Sequence, residues 1–180
     1  GVATFQNWWI STFPGLAIFT VAMGANFIGD GMRVRDILKK SNVTLLCTTD
    51  DPADDLRWHQ QLAADDTLET VVLPAFRPDK AVNLEKPDFA DYIAKLSQSA
   101  GTEIQNMDTL LAALEHRMDY FAAHGCTVAD HGLDNIAFRP ADTAALDAIL
   151  QKRLTGLTIT EEELWQYKTA LLLYFGRGYA

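Results

Sequence analysis

The chain has 180 residues, 48% of them hydrophobic, enough to bury a core as one ordinary domain or as part of a larger one. Its 24 acidic side chains against 15 basic ones give a formal net charge of -9, and no basic stripe is present, which argues against nucleic acid as a partner. An anionic small molecule stays possible, because a few Arg or Lys side chains focused in a cleft outweigh net charge locally.

In chain order, residues 1–29 carry no charged side chain and are long enough to span a bilayer. Pro14, Gly15, Gly24 and Asn26 interrupt the run, and neither a flanking Lys/Arg cluster nor a positive signal-peptide region precedes it. Residues 1–31 are therefore read as an apolar helix or loop segment packed against the remainder, with a membrane or signal segment and an irregular surface as the alternatives. Asp30-Gly31 marks a break, and "MRVRDILKKS" follows as a short amphipathic helix. "VTLLCTT" is β-branched and aliphatic and of strand length; "DPADDLRWHQQLAAD" reads as a helix with Pro52 near its first turn and acids at its positive end. "ETVVLPAF" is a second strand.

"KPDFADYIAKLSQSAG" places Phe89, Tyr92, Ile93 and Leu96 at helical spacing and stops near Gly101. A longer helix over "IQNMDTLLAALEHRMDYFAAHG" puts Ile104, Met107, Leu110, Leu111, Leu114, Met118 and Phe121 on one broad face, with Gly125 as its stop. "CTVADHGL" is a third strand. Two helices follow, at about residues 141–154 and, after the cap-like "TITEEE", 161–175. The two cysteines, Cys47 and Cys126, fall in strand-like apolar runs where buried free thiols are common. No disulfide framework is indicated, and a reducing cytoplasm is the expected compartment.

Alternating strands and helices, with near-continuous apolar strands, predict an α/β fold with a parallel sheet. Ligands of such sheets gather at the carboxyl ends of the strands. The three ends here are "TTDDP", "FRPDK" and "ADHGLD", which bring Thr48, Thr49, Asp50, Asp51, Arg77, Asp79, Lys80, Asp130, His131 and Asp134 toward one face. Such a set suits a carboxylated, hydroxylated small molecule, with Arg77 as a bidentate clamp and the acids and His131 available for hydroxyls, a metal or proton transfer. Each residue also has a plainer reading: Asp50 and Asp51 as caps of the helix at Pro52, Arg77 as an ion-pair partner of Asp79 or Asp51, His131 as a satisfied buried imidazole. His59, His116 and His124 lie in helical stretches and read as surface or packing residues. No His-x-His, HExxH, Cys-x-x-Cys, P-loop or GxSxG pattern occurs.

Taken together and in order, "TTDDPADDL", "VLPAFRPDKAVNLE", "FADYIAKL", "LLAALEHRMDYFAAHGCTVADHGLD" and "LTGLTITEEELWQYKTALLLYFGRGYA" resemble the middle of the uronate (glucuronate) isomerase family, from about Arg35 onward. The resemblance implies part of a distorted (β/α)8 barrel of the amidohydrolase type, about three βα units over residues 32–180, with a helical insertion at about residues 141–176. It implies interconversion of D-glucuronate with D-fructuronate and of D-galacturonate with D-tagaturonate, with a hexuronate as the substrate, the rest of the barrel as a partner, and a homo-oligomer as an option. By the same resemblance Arg77, Asp50, Asp51 and His131 contact substrate, and a divalent metal, zinc by expectation, serves the complete enzyme. His131 is the one candidate here for a metal or catalytic role.

The family's His-x-His pair and its late Asp-bearing strand have no counterpart among these residues. The main metal ligands and proton-transfer groups are therefore expected outside the chain, and the isolated chain is expected not to turn over substrate. The alternatives are a sugar-acid-binding α/β module without catalysis, a purely structural piece, and an amidohydrolase-type hydrolase.

Overall fold

The computed structural model describes residues 34–133 and 135–179, so the readings made for residues 1–31 and for Asp134 lie outside the described residues. The described chain divides into two compact units, one holding residues 34–44 and 68–70, the other residues 45–67 and 71–179. In the first, helix α1 (Val34–Lys40) has Asp36 in its first turn and Lys39 and Lys40 in its last, matching the helix dipole at both ends. The Thr70 hydroxyl donates to the Val43 carbonyl at 2.7 Å, and Lys39 pairs with Glu69.

The second unit carries the sheet and six of the seven described helices. Strands β1 (Leu45–Cys47) and β2 (Val71–Leu73) run parallel, with Leu45 opposite Val71 and Cys47 opposite Leu73. Pairing resumes beyond the strands as single bridges, Asp50 opposite Phe76 and Phe76 opposite Ala129. The third expected strand, "CTVADHGL", is thus reduced to one bridge. The Phe76 N–H donates to the Val128 carbonyl at 3.1 Å and the Asp130 N–H to the Phe76 carbonyl at 3.0 Å, so Phe76 is the residue that joins the three segments.

Helix α2 (Arg57–Ala63) starts five residues later than Pro52 had suggested. The reason is local: Asp51, Asp54 and Asp55 each accept a hydrogen bond from the backbone N–H two residues ahead, folding Asp51–Arg57 into successive turns. Leu56 then takes a left-handed conformation at φ 52, which blocks helix before it. The remaining helices are α3 (Asp79–Val82), α4 (Phe89–Ala100), α5 (Met107–Ala123), α6 (Thr143–Leu154) and α7 (Glu161–Gly178). Gly101 ends α4 at φ 65, and capping boxes open α5 (Asn106 with Thr109) and α7 (Thr160 with Glu163).

The core lies among the helices, with Phe89, Leu96, Leu110, Leu114, Leu150, Tyr167, Leu171 and Phe175 fully buried. Phe76 carries this core to the sheet, its ring edge-on to Phe121 at 5.2 Å and to Phe175 at 6.1 Å. The strand ends are therefore pinned to α5 and α7. The cysteines differ from expectation: Cys47 is exposed and Cys126 half-buried, both as free thiols. Among the described residues no helix is long and apolar enough to cross a membrane.

Candidate active site

The bridge between Asp50 and Phe76 sets the first group. Asp50 N–H donates to the Ala75 carbonyl at 3.0 Å and Arg77 N–H to the Asp50 carbonyl at 2.9 Å, so the two strand ends advance side by side. The Asp50 carboxylate does not cap a helix. Its Oδ2 accepts from the Thr48 hydroxyl at 2.6 Å and from the Ala75 N–H at 3.2 Å, with His59 Nε2 at 3.7 Å. Asp51 caps no helix either: it closes a turn, accepting from the Ala53 N–H at 2.9 Å, while its other oxygen lies 3.4 Å from Lys80 Nζ. Behind it the Tyr92 ring is buried, with its hydroxyl near the Asp51 carboxylate. Burial first, and then the Asp51 charge, push the Tyr92 pKa above the usual phenol value and keep the hydroxyl protonated.

The second group is built on Arg77. Its Nε is 2.6 Å from Asp79 Oδ2 and its Nη1 3.2 Å from Asp130 Oδ2. The hydrogen bond and charge of Asp79 raise its pKa further, so the guanidinium is permanently charged. Of the two ion-pair partners expected from the sequence, Asp79 is present and Asp51 is replaced by Asp130. Asp79 is itself anchored, because Gly132 N–H donates to both of its oxygens at 3.1 Å. A Cβ on Gly132 would lie 2.8 Å from Arg77 Nη2 and 2.9 Å from Asp79 Oδ2, so a side chain there requires one of the pair to shift. Gly132→Ala is expected to displace the guanidinium, the freer of the two groups, and so to weaken carboxylate binding while changing stability by less than ~1 kcal/mol. Calorimetric titration alongside thermal melts checks both halves.

His131 joins the same loop. Its Nε2 lies 3.0 Å from the Tyr179 hydroxyl, and its ring packs against Phe175 and Tyr179 at 5.8 Å from each. Burial, partly offset by Asp79 and Asp130, lowers its pKa below the usual 6.5, so the ring is uncharged at neutral pH. Nδ1 is buried with no partner among the described residues. His131 is therefore not a fully satisfied core imidazole, and among the described residues no three His, Cys, Asp or Glu side chains are placed to hold an ion. A metal of the kind the family resemblance implies would need its main ligands from outside these residues.

The expected site thus appears as two adjoining groups, Thr48–Asp50–His59 and Arg77–Asp79–Asp130–His131, with the Asp51–Lys80 pair alongside. His116 and His124 bind backbone carbonyls of Ala100 and Tyr120 and stay packing residues as expected. Sequence reasoning missed His59 and Arg117. Arg117 is buried and donates to the carbonyls of Pro52 at 2.6 Å, Asp54 at 2.7 Å and Ser99 at 3.2 Å, tying down the loop after Asp51. A signal existed: Arg117 falls at helical spacing between Leu110, Leu114 and Phe121, on the apolar face of α5.

Parallel strand ends with ionisable groups gathered beyond them define an α/β protein, and ligands of such sheets collect at that carboxyl edge. A profile of the family described as glucuronate isomerase matches residues 17–180, and the chain belongs to that family. The match begins earlier than Arg35, where the resemblance first becomes readable by eye. The uronate isomerase of Lachnospira eligens is 47% identical over 150 residues, covering 83% of this chain and 32% of the relative. That of Pectobacterium carotovorum subsp. carotovorum is 48% identical over 151 residues, covering 84% and 32%. The crystal structure of Thermotoga maritima uronate isomerase superposes with a TM-score of 0.78 at 30% identity, covering 82% of this chain and 33% of that one. The glucuronate isomerase of Caulobacter crescentus shares the fold, with a TM-score of 0.74 at 21% identity. The chain spans about a third of the length of the curated relatives it matches.

Proposed function

We propose that this chain supplies part of the substrate site of a uronate isomerase, which converts D-glucuronate to D-fructuronate and D-galacturonate to D-tagaturonate. The observation that carries this reading is the placement of Arg77 beside Asp50, Asp51 and His131 at the carboxyl ends of parallel segments in a member of the glucuronate isomerase family. Arg77 contacts the uronate carboxylate, and Asp50, Asp51 and His131 address sugar hydroxyls. In aldose–ketose isomerisation a base removes the C2 proton, an enediol forms, and a proton returns at C1. Clamping the remote carboxylate orients C1 and C2 for that exchange. No described residue is assigned the C2 proton.

In the same reading residues 32–180 are a segment of a distorted (β/α)8 barrel of the amidohydrolase type. Residues 141–176 are a helical insertion in that segment, and the protein works in the cytoplasm. Leu45 and Val71, in register on adjacent strands, are 52% and 51% exposed, which suits a parallel sheet that further barrel elements cover. The test is to express entire the open reading frame that carries the chain and to follow D-glucuronate and D-galacturonate by ketose formation. Turnover of either is expected. Binding without turnover would favour a sugar-acid-binding module, and hydrolysis of an ester or amide without uronate turnover would replace the isomerase by a hydrolase.

A further inference from the structure

His59 is set apart from the other described helical histidines by what it touches. Its side chain is 11% exposed, that of Asp50 is 13% exposed, and between them stands the Thr48 hydroxyl, 2.7 Å from His59 Nε2 and 2.6 Å from Asp50 Oδ2. A third group, the Leu73 carbonyl, lies 3.3 Å from the same hydroxyl. A hydroxyl has one proton to give, and the carboxylate and the carbonyl both only accept. The shorter contact to the charged acceptor takes the proton, so Thr48 donates to Asp50. His59 must then be the donor, with its proton on Nε2. The chain of donors runs one way, from His59 through Thr48 to Asp50.

All the hydrogen bonds to the Asp50 side chain end on Oδ2; Oδ1 accepts none among the described residues. We propose that His59 is a positioning residue: through Thr48 it fixes Asp50 Oδ2 and so presents Oδ1 to a hydroxyl of the sugar acid. The placement of His59 is itself set by the chain, since the turns at Asp51, Asp54 and Asp55 and the left-handed Leu56 delay α2 and bring its first turn under the end of β1. The identity of the ligand rests on the uronate reading above; the direction of the donor chain does not.

The test uses the entire open reading frame, with Thr48→Val, His59→Ala, His59→Gln, Asp50→Asn and Arg77→Ala. Thr48→Val and His59→Ala are each expected to lower kcat/KM for D-glucuronate at least tenfold. His59→Gln, whose amide N–H can reach Thr48, is expected to restore it to within about threefold, a rescue that loss of packing alone would not show. Nitrogen-15 NMR of the unmutated protein is expected to place the His59 proton on Nε2. Thr48→Val is nearly isosteric and decides the matter if His59→Ala does not fold. The proposal is overturned if Thr48→Val and the histidine variants stay within twofold while Asp50→Asn falls tenfold or more, or if the proton lies on Nδ1. Indifference of Asp50→Asn and Arg77→Ala as well would instead remove the uronate site, and the NMR result would still decide the direction of the donor chain.

Discussion

Replacing Arg117 by methionine is expected to lower the unfolding free energy by about 3–5 kcal/mol, because three backbone carbonyls lose their donor at once. The Arg117 guanidinium is buried on α5 and, among the described residues, has no carboxylate in hydrogen-bonding contact; its donors go to the carbonyls of Pro52, Asp54 and Ser99, and its Cζ lies 4.1 Å from the Tyr120 ring centre. Methionine fills much of the same space, so the loss is chiefly of hydrogen bonds, each carbonyl left unpaired costing about 1–3 kcal/mol. Against a typical total stability of about 5–15 kcal/mol, the variant would sit near the folding threshold. Lysine keeps the charge but cannot reach three carbonyls, and should recover less than half of the loss. Urea unfolding of the three proteins measures this directly. A loss below ~1 kcal/mol would mean that the aspartate-capped turns of Asp51–Arg57 hold the loop without help.

Arg117 also shows why the site was only partly legible in the sequence. The features set by neighbours in the chain came through: Gly101 at the end of α4, the capping residues of α7, and the apolar face of α5 were all expected and all found. What failed was decided by competition between local signals or by contacts across many residues. Pro52 carries a helix-start signal, but three successive aspartate turns and a left-handed Leu56 outcompete it, and no propensity scale ranks those turns above a helix. "CTVADHGL" has strand composition, yet its pairing is limited to the bridge between Ala129 and Phe76, beyond the end of β2, and the segment stays mostly irregular.

The candidate site divides in the same way. Arg77, Asp50, Asp51 and His131 were visible because strand ends in a parallel sheet are where ligands collect. His59 was not, because its role depends on the Thr48 hydroxyl 11 residues away. Of the partners of Arg77, Asp79 was legible because it is two residues along, while Asp130 arrives only when the Phe76–Ala129 bridge forms.

Those partners lead to the second large effect. Arg77, Asp79 and Asp130 together carry a net charge of -1, so the guanidinium as it stands is no bare anion receptor. Asp79 is 19% exposed and fixed by two bonds from Gly132; Asp130 is 46% exposed and meets Arg77 at 3.2 Å. A uronate carboxylate approaching Arg77 is therefore expected to displace Asp130 and leave Asp79 in place. Arg77→Ala removes the attraction and leaves two carboxylates facing a third, so uronate affinity should fall by about 2–4 kcal/mol, roughly 30- to 1000-fold. Asp130→Asn has the opposite sign. Removing one half-exposed negative charge should strengthen uronate binding by about 1 kcal/mol, roughly fivefold, and the gain should shrink as salt is raised. Titration calorimetry of both variants with D-glucuronate at two salt concentrations separates the cases. Weaker binding by Asp130→Asn would show that Asp130 orients Arg77 for the substrate; unchanged binding by Arg77→Ala would move the carboxylate clamp to another residue.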